Sequence, residues 1–316
     1  MNVSAIIPTF NSAAFISEAI DSVRAQTCSV DEIVIVDDGS TDATKEIAAG
    51  YPEVRLICQN HLGPAAARNT GIRQVRTQYI AFLDSDDIWL PNKIETQMSA
   101  LDAYPSAAFS FAPLSAFLTI ETIKELYDLY LPHELRSWCE VHSFRDGVAF
   151  GDVYPLLLIV NCMQTSSVMV RRQAVLDLGM FDESLIHGED HDLWLRLAHR
   201  WSAVYIAAPI AKYRVHPSAL SGLGVKRQEV FYRSTIETLT KHARMYPSFR
   251  ASEAVARSYN NYTAHLLKAQ RWPAARRSAL KSLLRMPTPF GVRLLVEAVF
   301  PKTYCRVMSL LGDGRA

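Results

Sequence analysis

Over its first 83 residues the chain switches hydrophobic period again and again, and that alternation restricts its possible folds more than any other feature. Residues 3–8 form a short, continuously apolar run, which reads as a buried strand. Residues 11–26 then carry Phe15, Ala19, Ile20 and Val23 at helical spacing. A β-branched run at 32–36, a helix at 41–49, a strand at 54–58, a helix at 64–75 and a strand at 79–83 follow. Strand and helix in turn predict βαβ units, hence a mostly parallel sheet covered by helices. In such sheets ligands bind beyond the carboxyl ends of the strands. Three polar clusters fall there: Pro8-Thr9-Phe10-Asn11, Asp37-Asp38-Gly39-Ser40 and Asp84-Ser85-Asp86-Asp87.

The third cluster is the most charged. Three carboxylates within four residues repel one another unless a cation sits among them. Hard oxygen ligands on a short loop suit Mg²⁺ or Mn²⁺, ions that commonly also hold substrate phosphates. The competing reading is a solvated acidic turn before a helix near Pro91. Clusters from three remote stretches on one rim favour a site.

Further along the pattern loosens. Residues 107–111 and 165–170 read as strands, and 177–183 as a turn. Glu189 and Asp190 precede an apolar stripe of Leu193, Trp194 and Leu197, with Asp190 or Asp192 able to cap that helix. Short strands are expected at 204–206 and 211–215. Trp89 reads most simply as packing, with stacking on an acceptor sugar as the alternative. The expected organisation is a domain over 1–225, with a segment at 113–160 inserted near the acceptor side, and a helical, basic region over 226–316.

Composition narrows the class. The 316 residues are 49% hydrophobic and 21% charged, enough for a sizeable core. A net charge of +1 gives no reason to expect a nucleic-acid partner. Five scattered cysteines with no C-x-x-C pair indicate neither a disulfide framework nor a zinc site, which fits a reduced, cytoplasmic setting. The first residues lack the pattern of a signal peptide, and no run is long and apolar enough for a spanning helix.

Six motifs in order resemble the GT-A-fold glycosyltransferases of family 2, over roughly residues 1–220. They are Ile6-Ile7-Pro8-Thr9-Phe10-Asn11, Val36-Asp37-Asp38-Gly39-Ser40-Thr41-Asp42, Asn60 to Gly71, Phe82 to Asp87, Gly179 to Glu183, and Gly188 to Trp194. The resemblance implies an inverting, metal-dependent enzyme. A nucleotide diphosphate sugar is the donor and a saccharide or lipid-linked saccharide the acceptor, in cell-surface polysaccharide synthesis. It places Pro8, Thr9 and Asn11 at base and ribose. Asp38 reads the imide N–H of uracil or thymine, which favours UDP- or dTDP-type donors. Gly63 and Arg68 lie on a loop and helix start that steady ribose or diphosphate. Asp84 and Asp86 are the D-x-D pair that holds nucleotide and Mn²⁺ or Mg²⁺, and His216 is a further candidate ligand. Asp190 is the general base, with Glu189 positioning substrate. Asp87 has no assigned part beyond support or capping.

Residues 265–316 lie outside the resemblance. They hold ten Lys or Arg against two acids, Glu297 and Asp313, with leucines and valines interleaved. A basic amphipathic segment suits either the surface of an anionic membrane or a solvated helical appendage. Rival readings are a non-catalytic nucleotide-sugar-binding protein on the same fold, a nucleotidyltransferase and a dehydrogenase. The nucleotidyltransferase wants a Gly- and Lys-rich loop after the first strand, and the dehydrogenase wants G-x-G-x-x-G there. Neither motif is present.

Overall fold

A computed structural model describes residues 2–118, 133–142, 144–216 and 225–300. In chain order these form β1 (Val3–Thr9), α1 (Ile16–Arg24), β2 (Glu32–Asp37), α2 (Thr44–Ala49), β3 (Val54–Cys58), α3 (Pro64–Gln74), β4 (Tyr79–Phe82), β5 (Ile88–Trp89) and α4 (Lys93–Ala103). There follow β6 (Ala107–Phe111), β7 (Leu114–Leu118), α5 (His133–Val141), β8 (Val148–Gly151), α6 (Tyr154–Leu157), β9 (Met169–Arg171), α7 (Arg172–Asp177), α8 (Glu189–Arg200), β10 (Ser202–Ile206) and β11 (Ala211–Val215). The helices α9 (Val225–Met245), α10 (Phe249–Lys268), α11 (Trp272–Arg285) and α12 (Pro289–Val299) complete it.

Among the described residues, eight strands make one sheet in the order β3-β2-β1-β4-β9-β6-β10-β8. β1, β2, β3 and β4 are mutually parallel, as the alternation of periods predicts. β9 runs antiparallel between β4 and β6, and β8 antiparallel along β10. A smaller sheet has the order β5-β11-β7. The fold is GT-A-like: a large, mostly parallel sheet flanked by helices, followed by a helical region. The chain divides into two compact units, residues 1–222 and 223–316.

β1 is buried at every position, so its run needs no polar alternation. Ile7, Ile20, Ile35, Leu83, Trp89 and Ile94 share the first unit's core. Fully burying one such aliphatic side chain is worth roughly 1.5–3 kcal/mol. α3 shows how this packing aims functional groups. It opens on Gly63 and Pro64, and Pro at the first helical position sacrifices no bond. Its buried face is mostly small: Ala65, Ala66, Ala67 and Gly71, with Ile72. A Cβ added at Gly71 would meet Ile6 Cγ2 at 2.6 Å. The helix therefore lies against β1 as closely as a backbone can, and it carries Arg68 and Asn69 on its buried side.

Several helices start later than periodicity suggests. The first begins at Ile16 because Asn11 adopts φ 48°, donates its N–H to Ser40 Oγ and accepts from Thr41 N. The second begins at Thr44, with Asp42 accepting the Thr44 N–H. The expected strand at 165–170 is instead a 3-10 turn, Thr165–Ser167, followed by β9. Ser167 Oγ bonds the Gln164 carbonyl, a local alternative to the ladder that hydroxyl residues offer. Within 113–160, β7 joins the small sheet and β8 the edge of the large one, while 119–132 and 143 lie outside the described residues.

In the second unit, Ile236, Tyr262, Leu266, Ala275, Leu294 and Ala298 form a core of their own. Ser248 and Thr288 cap α10 and α12 by accepting from Ala251 N and Gly291 N. The end of the basic region, 301–316, lies outside the described residues.

Candidate active site

Arg68 is buried beneath the rim and joins two of the acidic motifs. Its NH2 group donates to Asp84 Oδ1 at 2.7 Å and NH1 to Glu189 Oε1 at 2.8 Å. Its guanidinium also lies 5.4 Å from the centre of the Phe181 ring. Burial works against the charge, but Asp84 and Glu189 outweigh it and raise the Arg68 pKa, with Asp190 adding to the field. Arg68 is thus a fixed cation between the acid loop and the start of α8. Next to it, Asn69 donates to the Phe181 carbonyl and accepts from Phe181 N, holding the turn that leads to Gly188.

Gly188, at φ 80°, reverses the chain into α8, so Glu189 and Asp190 sit in the first helical turn rather than before it. Asp190 Oδ1 accepts from His191 N at 2.6 Å, and Asn161 bonds the carboxylate as well. Burial raises its pKa, with Arg68 opposing. Burial likewise raises Glu189 against the pull of Arg68. Asp192 does not cap this helix. It accepts from Arg196, which in turn bonds the Leu178 and Met180 carbonyls.

The acid loop is anchored from three directions. Ser166 Oγ accepts from Asp84 N at 3.0 Å and donates to Asp87 Oδ2 at 2.6 Å. Arg214 N donates to Asp87 Oδ1, and Arg214 Nε to the Asp86 carbonyl at 2.9 Å. Ser12 and Ser85 share a hydroxyl bond of 2.8 Å, linking the loop after β1 to the acid loop. His216 Nε2 lies 3.0 Å from Asp86 Oδ2. Burial raises the Asp86 pKa, then the neighbouring Asp84, with His216 pulling the other way. Asp87 is held well above the usual carboxylate range by burial and by both neighbours. Asp84 spends one oxygen on Arg68, whereas among the described residues Asp86 is faced by His216.

That surplus of negative charge is what a divalent cation would neutralise, so the residues fit one. Among the described residues no three His, Cys, Asp or Glu side chains are gathered as a metal-holding group. Ions such as Mg²⁺ use one or two carboxylates together with substrate phosphate and water, so a closed cage is not required.

Asp38 is placed differently from a vacant base reader. Its Oδ1 accepts from Gln59 Nε2 and Leu62 N at 2.7 and 2.9 Å, and its Oδ2 from Gly63 N at 2.8 Å. His61 Nδ1 lies 2.9 Å from Oδ2. About four acceptor sites, the capacity of a carboxylate, are taken by the 59–63 loop. Asp37 is the turn former, accepting from Gly39 N and Ser40 N. Pro8 lies buried within β1 and not on the rim. Thr9 ends that strand with Oγ1 buried and unpartnered, as is Asp37 Oδ1 opposite it. Phe10 and His61 stack at 4.1 Å on the exposed side of this loop.

The structure therefore connects Asn11, Asp38 and Gly63 around one loop pair, Asp84, Arg68, Glu189 and Asp190 in one chain, and Asp86 with His216. Ser166 and Arg214 were missed by sequence reading, because each acts on a residue 82 or 128 positions away; Asn69 stood in the motif over 60–71, but its partner Phe181 lies 112 positions away. Trp89 is core, with its Nε1 on the Ser166 carbonyl, and does not reach a solvent face.

A GT-A-like sheet with polar loops along its rim and an acid loop at the end of β4 is the frame on which the glycosyltransferases matched by this chain agree. The family model for glycosyl transferase family 2 matches residues 4–151. The chain is 36% identical over 225 residues to a Bacillus subtilis protein named "Putative teichuronic acid biosynthesis glycosyltransferase TuaG", covering 69% of this chain and 81% of that one. It is 30% identical over 227 residues to the Escherichia coli UDP-Glc:alpha-D-GlcNAc-diphosphoundecaprenol beta-1,3-glucosyltransferase WfgD, covering 69% and 79%. The crystal structure of S. aureus TarS 1–349 with UDP-GlcNAc superposes with a TM-score of 0.69 at 16% identity, over 100% of this chain and 93% of that one. The protein belongs to glycosyl transferase family 2.

Proposed function

We propose that the protein is an inverting transferase that moves a sugar from a UDP- or dTDP-type donor to a hydroxyl of a saccharide or lipid-linked saccharide, in cell-surface polysaccharide synthesis. The observation that carries this is the chain Asp84–Arg68–Glu189, with Asp190 beside it in the first turn of α8. One buried guanidinium joins the loop suited to a diphosphate to Glu189, the neighbour in the first turn of α8 of the carboxylate suited to an acceptor hydroxyl. The relatives support the reading: WfgD is named for a UDP-Glc donor and a diphosphoundecaprenol-linked acceptor.

In this reading Asp190 accepts the proton of the acceptor hydroxyl while that oxygen attacks the anomeric carbon. The bond from that carbon to the diphosphate oxygen breaks, and its electron pair leaves with the nucleoside diphosphate. Such general-base assistance is worth about 10²–10⁴-fold. Asp190 suits the task because burial has raised its basicity above that of an exposed aspartate. Glu189 positions substrate on the Arg68 side. Asp86, with Asp84 and His216, would hold Mn²⁺ or Mg²⁺, which when bound offsets the charge developing on the departing diphosphate. Thr9 and Asn11 border the base and ribose. Asp38 shapes the 59–63 loop first. To accept from an imide N–H it must release one donor, and exposed His61 is the one that water can satisfy. The 1–225 region is the transferase domain, with 113–160 bordering the acceptor.

The test is a panel of nucleotide sugars with Mn²⁺ or Mg²⁺, scoring nucleoside diphosphate release and acceptor glycosylation. Asp190→Asn is expected to keep donor binding and lose transfer. Asp86→Ala is expected to lose metal-dependent donor binding. Undiminished transfer by Asp190→Asn would remove the base assignment.

A further inference from the structure

α11 and α12 form a hairpin through a short connection at 286–288. Arg276 Nε donates to the Ala298 carbonyl, and Ala275, Leu294 and Ala298 pack inward. The tip of this hairpin is built the other way round. Leu284 is 86% exposed, Phe290 50%, Val292 49% and Leu280 48%. Leu280, Lys281, Leu284 and Arg285 fall one helical turn apart and share a face. Lys281 and Arg285 are exposed on that face, and Arg293, also exposed, shares its surroundings with Glu297 one turn on. No acidic residue occurs between Glu253 and Glu297, while eight Lys or Arg do.

Single exposed hydrophobes are ordinary on a soluble protein, but a cluster of them ringed by one sign of charge marks a contact surface. A second copy would bring the same patch against itself and oppose like charges. A surface that is anionic outside and apolar within matches both halves of the patch at once. We infer that the tip of the α11–α12 hairpin docks on an anionic lipid bilayer. Leu280, Leu284 and Phe290 enter the boundary between headgroups and acyl chains, and Lys281, Arg285 and Arg293 lie on the lipid phosphates. The inference rests on the helical unit alone and goes beyond the transfer reaction.

The experiment is co-sedimentation of the full chain with vesicles of phosphatidylcholine alone and of an equimolar phosphatidylcholine–phosphatidylglycerol mixture. The wild type is expected to sediment with the mixture and not with phosphatidylcholine, less so as salt rises. K281E/R285E is expected to weaken binding by more than about tenfold, since each lost base near such a surface costs roughly fivefold, two are lost, and reversal adds to it. L284S/F290S is expected to weaken it too, leaving only a salt-sensitive residue. All these side chains are exposed, so melting temperature and donor hydrolysis should stay at wild-type values in both variants. Absent binding to the anionic vesicles at low salt, or equal binding by both variants, would overturn the inference. So would light scattering that finds a wild-type dimer and an L284S/F290S monomer, because the patch would then be a protein–protein contact. An inactive transferase that still binds vesicles would leave the inference intact and count against the proposed reaction only.

Discussion

The hydroxyl of Ser166 stands 2.6 Å from Asp87 Oδ2 and at the same time accepts the Asp84 N–H. One oxygen thus sets both ends of the acid loop. Ser166→Ala would leave a buried carboxylate oxygen and an amide without that partner. Each such loss costs about 1–3 kcal/mol. The expected outcome is a lower melting temperature and a raised apparent KM for Mn²⁺ with kcat less affected. An unchanged metal titration would show that the loop keeps its shape without this contact.

The acid limb of the rate profile should report Asp190. The general base must be deprotonated, so activity falls as pH falls through its pKa. Burial raises that pKa, and Arg68 only partly counters it. The limb of kcat/KM is therefore expected above the ordinary aspartate value of about 3.9. A limb at or below that value, measured with saturating metal, would contradict the environment seen for this side chain.

Lys93 sits fully buried in the core, with its amine on Gln97 and 4.8 Å from the Trp89 ring centre. Burial lowers its pKa well below the usual lysine value. Near neutrality the unfolded chain binds a proton that the folded chain resists, so stability rises with pH. The window runs from the depressed folded pKa up to about 10.4, with a slope of at most about 1.4 kcal/mol per pH unit. Lys93→Met is expected to remove this slope in urea titrations run across that range. Parallel slopes for the two proteins would mean that the lysine is charged in the fold.

Gly71→Ala should act at a distance. Its methyl group would meet Ile6 Cγ2 at 2.6 Å, so α3 must move off β1 or Ile6 must change rotamer. Overpacking of this kind costs typically 1–3 kcal/mol. Because Arg68 and Asn69 ride on the same helix, transfer should fall more steeply than melting temperature. Ile6→Val in the same chain is expected to restore part of both. Activity at the wild-type level in Gly71→Ala would separate the helix position from the site.

The parallel half of the sheet was legible because buried strands announce themselves as unbroken apolar runs. Val3 to Thr9 and Glu32 to Asp37 need no partner to be recognised. The motifs at the strand ends led to Asp84, Arg68 and Glu189, which the fold joins. What stayed hidden depends on pairings far apart in sequence. Nothing local tells that Arg214 braces Asp86, or that Ser166 and Arg214 are the groups that hold Asp87 in the supporting part expected of it. The hydroxyl-rich Thr165–Ser167 looks strand-like, yet Ser167 bonds its own chain and makes a turn. Asp38 was expected from its motif to read a base, but its saturation by Gln59, Leu62 and Gly63 could be seen only in three dimensions.

The reversed strand β9 has a consequence for how the molecule comes into being. It is spliced between β4 and β6, although residues 83–168 separate it in sequence from the former. As the chain leaves the ribosome, the first four strands can zip together early, while β6 waits for both its neighbours, β9 and then β10. Non-local pairings of this kind are slow to form and leave edges open meanwhile. A nascent chain halted before β9 should therefore carry an unfilled border on β4 and on both sides of β6, a moment in synthesis when a chaperone has most to cover.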